Sequence, residues 1–198
     1  MKNSILTIAF LLCSMIALGQ EEKALGVLES DTTWLKEVIK FPIGFAPEIK
    51  YKEGYEDLRF AKKWRDKTHE DFWCYLFAWH IKRIEKLTVK DLEQQVKFYY
   101  DGLMKAVNKK KDFEVPETTV LFIKAENDNM NVDYIGKIRV YDSFTSEAMM
   151  TLNVQVKVHY CEDTNRSNVI FRLSPQDFNH EIWQRFKEIT LKADVCQN

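Results

Sequence analysis

Residues 72–79 (Phe72, Trp73, Cys74, Tyr75, Leu76, Phe77, Ala78 and Trp79) form an unbroken apolar run in which five of the eight side chains are rings. Charge closes the run on both sides, with Glu70 and Asp71 before it and Lys82, Arg83, Glu85 and Lys86 after it. A stretch this apolar must be covered on both faces, so other elements have to pack on it. Its length and ring content favour a strand over a helix. In a strand, Trp73, Tyr75, Phe77 and Trp79 share one face. They are the candidate lining of an apolar ligand groove.

Bulk composition limits the alternatives. A chain of 198 residues with 45% hydrophobic and 30% charged residues is a globular sequence of single-domain length. Thirteen Phe, eight Tyr and five Trp supply enough large side chains for a sizeable core. The net charge of −1 argues against a protein built around nucleic acid.

The first 19 residues have the pattern of a signal peptide. Lys2 gives the positive start, residues 5–18 are apolar except for Thr7, Cys13 and Ser14, and Ala17-Leu18-Gly19 precedes Gln20. The expectation is an exported protein, periplasmic or extracellular, with a mature domain over 20–198 and no membrane span in it. Removal of Cys13 leaves Cys74, Cys161 and Cys196, an odd count that implies one pair and one leftover. Cys74 lies inside the aromatic run and suits the role of a small buried hydrophobe. A Cys161–Cys196 disulfide is therefore expected, tying down the C-terminal segment.

Residues 20–54 read as an irregular N-terminal part. It has a loosely held start over 20–30 and a short helix over 31–40, with Trp34, Leu35, Val38 and Ile39 on one face. Residues 41–47 contain two prolines and a glycine and read as an extended segment crossing the core. A short strand follows over 56–61. The stretch 62–67 interleaves Lys62, Lys63, Arg65 and Lys67 with Trp64; its plainest reading is a solvated loop with one docking ring.

After the aromatic strand, Thr88 opens the strongest helix of the chain. Asp91 and Glu93 lie in its first turn, and Leu92, Val96, Tyr99, Leu103 and Val107 form its apolar stripe. Four strands then follow, over 118–125, 134–142, 152–160 and 169–173. The first is expected to be mostly buried, and the third to have a wet face of Asn153, Gln155, Lys157 and His159. A last helix, capped by Asp177 or Asn179, carries Ile182, Phe186, Ile189 and Ala193. The fold class is thus α+β: a two-layer domain with an antiparallel sheet and its helices on one face. The order strand, helix, four-strand meander, helix resembles the TATA-binding-protein-like fold and, more loosely, the helix-grip and cystatin-like folds. The likeness is one of topology, with no shared motif residues. It implies only an apolar groove between a curved sheet and a long helix.

The chemistry-bearing clusters are few. His159, Cys161, Glu162 and Asp163 gather at the end of one strand, and His80 closes the aromatic run. His80 reads as a rim or core histidine held by a backbone partner. His159 and Cys161 lie two apart on one face, the spacing of metal ligands or of a thiol–imidazole pair. The disulfide competes for Cys161, so no metal or cofactor is assigned. His69-Glu70-Asp71 and His180-Glu181 read as polar ends of elements. GxSxG, HExxH, CxxC and a phosphate-binding glycine loop are all absent from the sequence. The expectation is a non-catalytic binding or structural module for an apolar small ligand or a protein partner. The alternative is an exported hydrolase or metal-dependent enzyme using His159 or His80 with Glu162 or Asp163.

Overall fold

A computed structural model describes residues 25–29, 33–83, 85, 87–110, 112–126 and 132–197. The expected signal segment, 1–19, lies outside them. The elements are β1 (Leu35–Lys40), β2 (Gly54–Phe60), β3 (Tyr75–Lys82), α1 (Val89–Val107), β4 (Thr119–Lys124), β5 (Tyr134–Tyr141), β6 (Met149–Cys161), β7 (Arg166–Ser174) and α2 (Ile182–Lys187). All seven strands form one antiparallel sheet in the order β1-β2-β3-β7-β6-β5-β4. The aromatic run supplies β3, buried from Tyr75 to Ile81. The last strand of the meander, β7, closes against it, with the Phe77 and Phe171 rings paired at 4.8 Å.

The α+β class holds, but the helices do not share a face. Tyr75, Phe77, Trp79 and Ile81 pack with Leu92, Val96, Tyr99 and Tyr100 of α1. Cys74, Leu76 and Ala78 pack on the other side with Ile182, Trp183 and Phe186 of α2, joined by Ile170 of β7. The reason is visible in β3 itself: its alternate positions are all apolar, so each face needs its own cover.

The local signals for α1 act as expected. Thr88 caps it, its hydroxyl accepting from the Asp91 amide at 3.2 Å while the Asp91 carboxylate accepts from the Thr88 amide at 3.3 Å. Segment 41–50 lies across this helix, with the Lys50 amide donating to Gln95 Oε1 at 2.8 Å.

Several expectations fail for non-local reasons. The described part of 31–40 is strand, not helix: β1 pairs with the edge of β2 from Leu35 to Lys40. Of the supposed helical stripe only Trp34 is buried, and it packs on the α2 side. The described part of 20–30 is not loose. Val27 and Leu28 are buried, and their backbone bonds to the segment after α2 (Lys192 N to Val27 O, 2.8 Å; Glu29 N to Thr190 O, 2.9 Å). Beneath them the buried pair Asp57–Arg59 holds Leu28, whose amide donates to Asp57 Oδ2 at 3.0 Å. Strand β4 is an exposed edge rather than a buried strand; Leu121 is 61% and Ile123 is 56% exposed. On β6 the wet face is half dry, because Asn153 and Gln155 are covered. The terminal helix is short, and its N-cap is Glu181 without a side-chain bond, not Asp177 or Asn179.

Gly102 lies inside α1, where alanine normally stabilises by about 1 kcal/mol. Here a Cβ would stand 2.1 Å from the Phe45 carbonyl oxygen, a backbone atom of the crossing segment. Gly102→Ala is therefore expected to destabilise, by about 1–3 kcal/mol as overpacking does. A urea midpoint that rises in the variant would show that this segment does not rest on the helix.

Candidate functional site

The aromatic strand does not simply vanish into the core. At its N-terminal end the chain turns through residues 61–73, and Trp73 adopts a left-handed backbone conformation with φ of 53°. Its amide donates to the Trp64 carbonyl at 2.8 Å, and the Cys74 amide donates to Asp71 O at 2.9 Å. The loop thereby folds Trp64 back against Trp73, with ring centroids 6.4 Å apart. The sequence pattern places Trp73 in the strand; it stands just before it.

Between this loop, the α1 side of β1–β3 and the C-terminal half of α1 lies a cavity of about 210 Å³. Leu58, Trp73, Tyr75 and Tyr99 form its deeply buried walls. Phe60, Trp64 and Phe144 form a ring shell, with Phe60 stacked on Trp64 at 4.8 Å and Phe144 edge-on to Trp64 at 5.5 Å. The Arg65 guanidinium lies over Trp64 at 4.5 Å and over Phe144 at 5.1 Å. Among the described residues Arg65 has no hydrogen-bonded or ionic partner, so its N–H edges are free. Trp73 Nε1–H is buried and unpartnered as well. The cavity shares Glu37, Phe60, Trp64 and Arg65 with an open shelf that also carries Lys36, Lys62, Lys63 and Asp66. A mouth with more cations than the two carboxylates Glu37 and Asp66 thus leads to an apolar interior.

Of the four ring residues named from the sequence, Trp73 and Tyr75 line the cavity. Phe77 and Trp79 do not; they pack against Tyr99 and Phe171 beneath α1. Sequence reasoning missed Phe60, Trp64, Arg65 and Phe144. The basic and aromatic interleaving of residues 62–65 was the available signal.

The histidines lie on the opposite side of the sheet. His80, Asn168 and His159 stand in one cross-strand row over β3, β7 and β6. His80 is buried, and its partner is a side chain rather than backbone, with Nδ1 2.7 Å from Asn168 Oδ1. Burial lowers its pKa, and the Asn168 bond opposes that. His159 is exposed, with Nε2 3.2 Å from Cys196 Sγ. The expected Cys161–Cys196 disulfide is present, with a Cα separation of 5.3 Å. Glu162 and Asp163 are exposed in the β6–β7 turn, and among the described residues neither bonds to His80 or His159. Cys74 is free and buried, its thiol pushed up to about 12 by burial.

A scan against protein-family models finds no match, and searches of curated proteins and of solved structures find none either.

Glu56, on the α1 side of β2, is fully buried beside the cavity-lining Tyr99. Its Oε1 accepts from Trp79 Nε1 at 3.2 Å and its Oε2 has no partner. Burial raises its pKa from 4.5 to about 8, against the hydrogen bond from Trp79. Between these two values the folded state holds a proton that the unfolded chain has released. Its contribution to stability therefore falls as pH rises through that window and levels off above it, with a slope of up to about 1.4 kcal/mol per pH unit. Glu56→Gln removes this slope. Denaturation midpoints should show wild type losing stability relative to the variant between about pH 5 and pH 8; a difference constant across that range would mean that Glu56 ionises normally.

Proposed function

We propose that the protein is a non-catalytic binding module that holds a small apolar acid, with the aromatic or acyl body in the cavity and the carboxylate just inside its mouth, shared between Arg65 and Trp73 Nε1–H, which both border Trp64 and Phe144. The observation that carries this reading is a ring-lined cavity with one buried donor left without a partner in its wall, Trp73 Nε1–H, and the exposed Arg65 guanidinium at its mouth. A buried donor with no acceptor is costly, by about 1–3 kcal/mol, and a ligand oxygen would relieve it. Lys62 and Lys63 on the shelf add a field that draws anions towards the opening.

The strand order β3-β7-β6-β5-β4, with α1 laid across it, supports the likeness to grip-type α+β folds. Here the opening lies at one end of the helix rather than along it. Export belongs to the same proposal, on the leader pattern of residues 1–19, and the disulfide is compatible with an oxidising compartment.

The test is a titration with 2-naphthoate and octanoate, read by quenching of tryptophan fluorescence. Saturable binding is expected for at least one of the two. Trp73→Phe keeps the ring and removes the N–H, and should weaken binding about ten- to hundredfold, as loss of a hydrogen bond to a charged group does. Leu103→Trp, which fills the cavity, should abolish binding while the far-ultraviolet spectrum stays unchanged. No saturable signal with either acid, or binding untouched by Leu103→Trp, would refute the assignment.

A further inference from the structure

The geometry points to a second site on the opposite face of the sheet: when the Cys161–Cys196 bridge is reduced, its two sulfurs and His159 form a binding site for Zn2+. The reading is independent of the cavity and uses none of its residues.

The donor atoms are already gathered. A nitrogen of His159 and the two Sγ atoms all lie within 4.8 Å of one another. In a tetrahedral zinc site, bond lengths of about 2.3 Å to sulfur and about 2.0 Å to nitrogen place two sulfurs about 3.8 Å apart and sulfur and nitrogen about 3.5 Å apart. His159 Nε2 stands 3.2 Å from Cys196 Sγ, so that edge of the tetrahedron needs little change. Breaking the S–S bond lets the sulfurs move out to non-bonded contact, which is close to the other edge. The Cα separation of 5.3 Å leaves room for this without moving strand β6.

Surrounding groups hold the donors in place. His159 and Cys161 are two residues apart on β6 and project from the same face. Asn168, opposite His159, donates from Nδ2 to Cys161 Sγ at 3.4 Å. That leaves Asn168 Oδ1 to accept the proton of His80 Nδ1. The Tyr55 ring lies on His80 at 4.9 Å and ends the row. A hydrogen-bonded group behind a ligand is what fixes a metal site's geometry. His159 is exposed and Cys196 half-buried, so an ion has a path in and the fourth position is open to water. Two thiolates and one imidazole favour Zn2+ over the hard cations Mg2+ and Ca2+.

The chemistry balances with a dithiol as reductant. It passes two electrons and two protons to the bridge, the S–S bond breaks, two thiols form, and the dithiol closes to its own disulfide. Zn2+ then replaces both thiol protons, which leave to solvent. Metal would thereby substitute for the covalent clamp on residues 188–197, the segment that pairs with residues 27–29.

The test uses the full chain carrying Cys13→Ala and Cys74→Ala, so that only the bridge supplies thiols, with Co2+ as a coloured stand-in for Zn2+. A phosphine reduces the bridge, taking its oxygen from water. One equivalent of Co2+ should then give thiolate-to-cobalt charge-transfer absorption that Zn2+ abolishes, and the oxidised protein should give none. His159→Ala should weaken binding at least tenfold, and Cys196→Ser should remove most of the absorption. Near-ultraviolet circular dichroism follows the fold in the same samples. If reduction loosens the chain and Zn2+ restores the signal, the site is supported. Absence of the absorption overturns it, as does absorption without a folded signal or binding unaffected by His159→Ala.

Discussion

Everything in this structure depends on β3 being covered on both sides. Its rings face α1 and its smaller residues face α2, so neither helix can be removed without exposing the central strand. Each large side chain buried there contributes about 1.5–3 kcal/mol. The ring pairs Phe77–Phe171 and Phe77–Tyr99 add packing beyond that area. The N-terminal residues 27–29 and the segment after α2 complete the cover on the second face. Chain ends that read as loose are thus held by the same requirement.

Covering both faces of a sheet this wide traps polar groups, and the chain deals with them in different ways. Asp57 and Arg59 pair with each other and also bind the backbone of residues 28 and 29. Arg172 donates to the Phe186 carbonyl at 3.1 Å, and burial lowers its pKa to about 10. Asp142 accepts from the amides of Phe144, Thr145 and Ser146 and so shapes the turn that carries Phe144 to the cavity. Glu56 is the carboxylate among the buried side chains left with an unpartnered atom, a set that also includes Tyr51, Trp73 and Gln155. It is only half satisfied, so it is buried as the neutral acid. Its position beside Tyr99 and Trp79 puts a neutral buried acid next to the cavity.

What was legible in the sequence was what local chemistry decides. Thr88 and Asp91 announce their helix because the cap is made within one turn. The disulfide followed from counting cysteines. β3 was legible because a short run so rich in rings favours a strand, although Trp73 and Phe77 would also align on a helix. The failures share one cause, which is that the deciding partner is distant in the chain. Val38 and Ile39 fit a helical face as well as a strand, and only the free edge of β2 selects strand. Alternation along β4 cannot say which of its faces is covered; Phe122 packs into the α1-side core, whereas Leu121 and Ile123, on the other face, have no cover among the described residues. The cavity was half legible. Trp73 and Tyr75 were named, but their ring neighbours Phe60, Trp64 and Phe144 come from separate segments, and no periodicity relates them.

The two sites differ in how they are prepared. A bulky residue in the left-handed region costs about 1–2 kcal/mol, and it persists only where its surroundings over-determine it. At Trp73 those surroundings are the Trp64 carbonyl, the Asp71 carbonyl accepting from Cys74, and the rings of Tyr75 and Phe144. The folding of the core therefore maintains the cavity wall, and a ligand need not organise it on arrival. That is the condition under which a small apolar contact area still yields useful affinity, because little ordering cost remains. The sulfur–imidazole cluster is prepared differently: its donors are in place but joined to each other, and only the loss of that bond would free them for a metal. One central strand thus borders the cavity through Tyr75 and, through His80 and Asn168, the sulfur–imidazole cluster.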